Sequence, residues 1–241
     1  LMTALSIHTP PKVGRKKPSN GAHTKQVLGC FPQRHALRWR TMNSSAMTNP
    51  PPLFDPATAR GRLLAAAARL FREKGYAGTT VRDIAAVLGI LSGSLFHHFR
   101  SKEDILFAVM ESVITSMRDD LEAALADAPT HQARVRALIA VELTYLHGPA
   151  RDATFVLFHD WRALSPERQT TLLQGRDAYF ALWHDTLGQA RAAGLTALEP
   201  GVLRQFLHGA LAWTSYWYRS DGELSLDTLT DCAVALALGH N

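Results

Sequence analysis

Residues 79–106, TTVRDIAAVLGILSGSLFHHFRSKEDIL, leave the chain little choice of local structure. Thr80 can cap a helix over 81–88, with Asp83 three positions on in a variant of the capping box. Val81, Ile84, Ala85 and Leu88 fall on one face of that helix. Gly89 and Ile90 make a turn, and residues 92–98 form a second short helix with Leu95 and Phe99 inward. Ser101 then caps a long helix over 102–127, again with an acid, Asp104, three residues later. Two short helices joined by a glycine turn cross steeply, which lets the second enter a DNA major groove.

Charge follows the same division. Residues 1–59 carry a net +7, residues 60–102 a net +6 and residues 103–241 a net −8, within an overall +5. A basic head on an acidic body suits binding of double-stranded DNA by the head alone. Cys30 and Cys232 have no CxxC spacing and read as free thiols in a reducing cytoplasm. No apolar run approaches the roughly 18 residues of a membrane span, so no membrane partner is expected. The opening LMTALSI is too short for a signal-peptide core.

Residues 1–55 lack apolar periodicity, and eight of the twelve prolines fall by Pro56, so this basic, proline-rich stretch is expected to be disordered. Three readings compete for it: a basic arm tracking DNA phosphates, an acid-poor targeting peptide, or a stretch ahead of the true start at Met42 or Met47. The last is the expectation. From Ala57 onward the chain reads as helix after helix. Leu64, Ala67, Ala68 and Phe71 mark the inner face of the first, which ends at Gly75. Beyond Pro129, breakers at Gly148-Pro149, Ser165-Pro166, Gly194, Pro200 and Asp221-Gly222 leave helical blocks near 131–147, 151–163, 166–193, 200–219 and 225–238. No segment alternates convincingly as a strand, so the fold class is all-α with about nine helices.

Residues 79–106 closely resemble the segment TTVxDIAxxxGVSxGxLYxHFxSKExLL shared by TetR/AcrR-type repressors. The resemblance implies a helix-turn-helix DNA-binding domain over 56–101 and a ligand-binding and dimerisation domain over 102–241. It also implies a homodimer whose intersubunit four-helix bundle comes from 166–193 and 200–219. Two residues depart from the pattern. Leu91 stands where the family usually has a serine that would cap the recognition helix. Phe96 stands where a tyrosine hydroxyl often meets a phosphate, and losing that bond weakens backbone positioning by about 1 kcal/mol. GILSGSLFHHF and the late WYRSDGELS further resemble the acyl-CoA-responsive actinobacterial repressors of cholesterol-ring catabolism, which points to an acyl-CoA effector.

In the head, Ser92 and Ser94 can meet base edges, His97 or His98 can reach guanine or phosphate, and Leu91 can pack on a thymine methyl. Gly93 leaves room for the backbone to approach DNA. Thr80, Arg82 and Lys102 read as phosphate contacts, since helix starts present free N–H groups to anions. In the tail, Phe155, Phe158, His159 and Arg162 share one helix face. Tyr179, Phe180, Trp183 and His184 follow on the next helix, then Phe206, His208, Trp213, Tyr216, Trp217 and Tyr218. Aromatic stripes carrying polar groups can be core or can line a small-molecule site. The site reading takes Phe155, Phe158, His159, Arg162, Tyr179, Trp183, His208 and Trp213 as ligand-binding residues, with Arg162, Arg168 or Arg176 holding a CoA phosphate. Trp213 and Trp217 stay undivided between pocket and dimer interface.

Enzyme readings find no support. GILSG lacks the G-x-S-x-G spacing, and the histidines form no H-E-x-x-H or Cys/His cluster, so no metal or other cofactor is expected. There is no P-loop or dinucleotide fingerprint. The expectation is a cytoplasmic, ligand-responsive repressor, homodimeric on a palindromic operator. An effector in the tail displaces the 102–127 helix and carries the recognition helices off their spacing. Two alternatives remain: the same fold sensing lipophilic drugs to control an efflux pump, and a ligand-independent DNA binder.

Overall fold

A computed structural model describes residues 52–239. Most of the expected disordered extension, together with Cys30, Met42 and Met47, lies outside the described residues. Its last residues are described: Asp55 accepts from Ala57 N–H at Oδ1 and from Thr58 Oγ1 at its backbone carbonyl, setting the chain up for the first helix.

Among the described residues there are nine α-helices and no strand. The head holds α1 (Ala59–Lys74), α2 (Val81–Leu88) and α3 (Ser92–Leu95). The tail holds α4 (Lys102–Asp127), α5 (His131–His147), α6 (Arg151–Asp160), α7 (Pro166–Ala192), α8 (Pro200–Trp213) and α9 (Leu226–Leu238). Short 3-10 turns extend α6 over Trp161–Ala163 and α8 over Thr214–Tyr216. These turns replace the last parts of the helices expected over 151–163 and 200–219. At Thr214 the side-chain hydroxyl donates to Leu211 O at 2.5 Å, satisfying a carbonyl three residues back and helping to tighten the helix end.

Caps set most of the boundaries. Thr58, Thr80, Ser101, Thr130 and Ser225 each accept a backbone N–H two or three residues into the helix they precede. At Gly89 the backbone turns left-handed (φ 65°, ψ 29°), and Ile90 N–H donates back to Ala85 O at 3.1 Å. This closure ends α2 and requires the positive φ that glycine adopts without a Cβ penalty.

The core of the head is Leu63, Leu64, Ala67, Phe71, Ile84, Ala85, Leu95 and Phe99, all buried. Val81 and Leu88, expected on the inner stripe of α2, are half-buried. Helix α4 buries Ile105, Leu106, Ala108, Val109 and Met110 almost without interruption. A helix apolar on every side must be surrounded, and α4 packs against α1, α5, α6 and α7. It is the common wall of head and tail.

Candidate functional site

The recognition segment is shorter than expected. Its α-helical part is only Ser92–Leu95, continued by turn-type bonds from Phe96 N–H to Gly93 O, His97 N–H to Ser94 O and His98 N–H to Leu95 O. The sequence explains this. Leu91 occupies the N-cap with no side chain able to accept from the first turn, and two serines and a glycine make a weak helix. Leu91 is 81% exposed, so it serves no core. Phe96, His97 and His98 are exposed as well, and Ser92 and Ser94 are half-buried. A side chain at Gly93 would meet nothing within 4 Å, so that backbone lies open.

The three expected phosphate contacts divide. Arg82 is exposed and has no ion-pair partner among the described residues. Thr80 spends its hydroxyl locally: Asp83 N–H donates to Oγ1 at 3.1 Å, and Oγ1 donates to Asp83 Oδ2 at 2.6 Å. The hydroxyl's bond to Asp83 Oδ2, joined by Thr80 N–H donating to the same oxygen at 2.8 Å, holds the Asp83 carboxyl down at about 2. Lys102 turns inward. Its ammonium donates to Tyr76 O at 2.9 Å and Thr79 O at 2.8 Å, and lies 4.2 Å from the Tyr76 ring centroid. It ties the first turn of α4 to the α1–α2 loop. Lys102→Met should therefore lower stability by about 2 kcal/mol, the cost of two charge-assisted bonds in urea unfolding. The salt dependence of operator binding should stay unchanged, whereas loss of a phosphate contact would reduce its slope by about one.

The neighbouring residues of that first turn reach the tail. Glu103 Oε1 accepts from Ser165 N–H at 2.8 Å, and the Arg168 guanidinium pairs with Asp104 while facing Glu103 at 3.7 Å. The hydrogen bond from Arg168 holds the Asp104 carboxyl below its usual range. Arg168 is thus occupied as a strut between α7 and α4. A second strut, Arg72–Asp152 at 2.5 Å, joins α1 to α6.

The tail residues expected at the ligand do not all gather. On α6, Phe155 lies beneath the Arg72 guanidinium at 5.5 Å and stacks on His159 at 3.8 Å. That face is taken up at the junction with α1, because α6 packs against the head. Phe158 is half-buried, whereas His159 and Arg162 are exposed, with the Arg162 guanidinium near Trp161. Trp213 is 54% exposed and pairs with Tyr216 on the outer face of the tail.

Tyr179, Trp183 and His208 do come together, with ring centroids 4.4–6.5 Å apart. They enclose Glu142 of α5, which the aromatic pattern missed although it is the one acid in the apolar run ALIAVELTYL. The Tyr179 hydroxyl donates to Glu142 Oε2 at 2.5 Å, and His208 Nδ1 lies 3.8 Å from Glu142 Oε1. Glu142 and His208 are each 1% exposed. Burial raises the Glu142 carboxyl to about 7 and lowers the His208 imidazole to about 3, so His208 is neutral. Toward the outside, Arg204 stands over Phe180 at 4.2 Å and Arg176 approaches the same ring at 5.5 Å. Burial and the Arg176 charge both weigh against the Arg204 cation, whose Nη1 has no hydrogen-bond partner. Sequence reasoning passed over Arg204; its place one turn before His208 on a largely apolar helix was the available signal.

Both parts of the chain are similar to known regulators. Residues 63–109 match the family described as bacterial regulatory proteins of the tetR family, and residues 128–240 match the tetracyclin repressor-like C-terminal domain. The transcriptional repressor KstR2 of Rhodococcus jostii is 30% identical over 197 residues, covering 78% of this chain and 95% of that protein. The solved ketosteroid transcriptional regulator KstR2 of Mycobacterium tuberculosis is 28% identical, with a TM-score of 0.68 over 77% of this chain and 95% of that one. A solved structure described as superantigen pfit is 45% identical, with a TM-score of 0.68 over 77% of this chain and 92% of that one. The chain belongs to the TetR family of bacterial regulatory proteins, as a ligand-responsive DNA-binding transcriptional repressor.

Proposed function

We propose that the protein binds a palindromic operator as a homodimer and is released by a lipophilic effector carrying an anionic or acyl-thioester group, such as an acyl-CoA or its free acid. The observation that carries this reading is the strut at the start of α4. One helical turn, Lys102–Asp104, is bonded to the head through Tyr76 and Thr79 and to α7 through Ser165 and Arg168. An effector that shifts α7 therefore moves the first turn of α4, and the recognition segment with it. Two recognition segments must sit about 34 Å apart, or a multiple, to engage two half-sites, so a small rotation is enough to break simultaneous binding.

Dimerisation has a surface to use. Val202, Phe206 and Trp213 recur on one side of α8, and Tyr216 and Trp217 continue the patch. Arg204, beside Arg176 and short of a partner, favours an anionic effector over a neutral or cationic drug.

A thermal-shift panel of acyl-CoAs and the matching free acids tests the reading. A binder at a hundred times its Kd should stabilise the protein by about 2.7 kcal/mol, and the same compound should release operator DNA. A panel without any stabilising compound, or a stabilising compound that leaves operator binding intact, would overturn it.

A further inference from the structure

Leucine is a poor residue for a helix N-cap on two counts. It offers no oxygen to the first-turn N–H groups, and in water its side chain exposes apolar surface without return. Leu91 holds that position ahead of α3, with an extended backbone (φ −70°, ψ 140°) and no side-chain cap bond. A continuous helix would set it one turn before Leu95, on the buried side. Instead it is 81% exposed, more than any other large apolar residue among those described. Both costs are recovered only when another molecule covers the side chain.

The surroundings of Leu91 point to what covers it. No acid lies between Asp83 and Glu103. Arg82 and Arg100 are exposed and have no ion-pair partner among the described residues. Such a rim suits phosphates, and phosphate contacts set position without choosing sequence. Gly93, two residues on, has open space where a Cβ would stand, so the backbone can approach the floor of a groove. In the major groove the C5-methyl of thymine is the apolar group at the base edges, and cytosine lacks it. Ser92 and Ser94 can bond to many base edges and so discriminate little. Leu91 can discriminate, because its side chain gains only where a methyl group meets it.

We propose that Leu91 is a specificity-determining residue for the operator: it packs on the C5-methyl of a thymine at one fixed position in each half-site. The base is read by apolar contact rather than by a hydrogen bond. The inference rests on the palindromic-operator reading above and deepens it.

The probe is duplex DNA selected from a random pool by the full-length protein, then resynthesised with deoxyuridine at each thymine in turn. Deoxyuridine removes the methyl group and leaves base pairing intact. Burying one methyl is worth roughly fourfold in affinity. Replacing the two symmetry-related thymines should therefore weaken wild-type binding roughly fifteenfold. Leu91→Ser should bind the thymine and uridine forms alike. With a cap restored, the same variant should also melt about 2–4 °C higher. A residue that served only packing would not give that pair of opposite effects. Phe96→Tyr should tighten both forms equally, since a hydroxyl adds a backbone contact without touching the methyl. Uridine tolerated at every thymine by wild type, or a thymine preference that survives in Leu91→Ser, would overturn the contact. A preference lost in Phe96→Tyr would overturn it too, by assigning the methyl to Phe96. If wild type enriches no palindrome, the operator reading fails and the contact falls with it.

Discussion

Phe206→Glu is expected to turn the protein into a monomer and to remove operator binding. Phe206 is 69% exposed, in line with Val202 and Trp213 on α8. An apolar stripe of this kind on a helix surface marks a contact with another molecule. In a two-fold interface each residue occurs twice, so a buried charge replacing an aromatic anchor is felt twice. At about 2–4 kcal/mol per copy, the dimer should weaken roughly 10³- to 10⁶-fold. Folding should be spared, because Phe206 contributes little to the core of its own subunit. Light scattering on a sizing column would read the mass, and fluorescence anisotropy with a labelled operator would read binding. A Phe206→Glu protein that stays dimeric would place the interface elsewhere.

The second large effect concerns Glu142 and is conditional on pH. Its carboxyl rises from an ordinary 4.5 to about 7 on burial. Below pH 4.5 it is protonated in both folded and unfolded chains and adds no pH dependence. Between 4.5 and 7 the unfolded chain gives up this proton while the native protein keeps it, so stability falls as pH rises. His208 acts the opposite way: lowered from 6.5 to about 3, it makes stability rise with pH between those values, and His147, lowered to about 4, adds to that rise. The terms oppose each other between 4.5 and 6.5 in the wild type. Glu142→Gln removes one of them while keeping an oxygen for the Tyr179 hydroxyl. Near pH 4 the variant should match wild type, and at pH 8 it should be the more stable by about 3 kcal/mol. Urea unfolding at several pH values measures the gap. A gap independent of pH would mean that Glu142 is ionised at no cost, against its burial.

Much of this fold could be read along the chain because its determinants are local. Thr80 with Asp83, Ser101 with Asp104 and the turn at Gly89 act within a few residues of one another, and the structure bears out each of them. The shortness of α3 was also latent in the sequence. Leu91 is the missing cap, and a helix of only four residues is its consequence. Long-range choices were not legible. Lys102 looks like a surface cation until Tyr76, 26 residues earlier, offers its carbonyl, and Arg168 until Asp104, 64 residues earlier, takes its charge. The aromatic stripes could not be divided for the same reason. Periodicity places Trp213 and Trp183 on helices, but only packing shows that one faces outward and the other is sealed beside His208.

Arg168 offers the most direct test of the coupling. Operator binding should be titrated in the wild type and in Arg168→Ala, with and without a compound that raises thermal stability. Wild type should lose 5- to 150-fold in operator affinity when the compound is bound, as a coupling of about 1–3 kcal/mol requires. Arg168→Ala should bind both DNA and compound yet show a markedly smaller loss, because the strut from α7 to Asp104 is gone. An Arg168→Ala protein released as fully as wild type would contradict the claim that the signal passes through the first turn of α4.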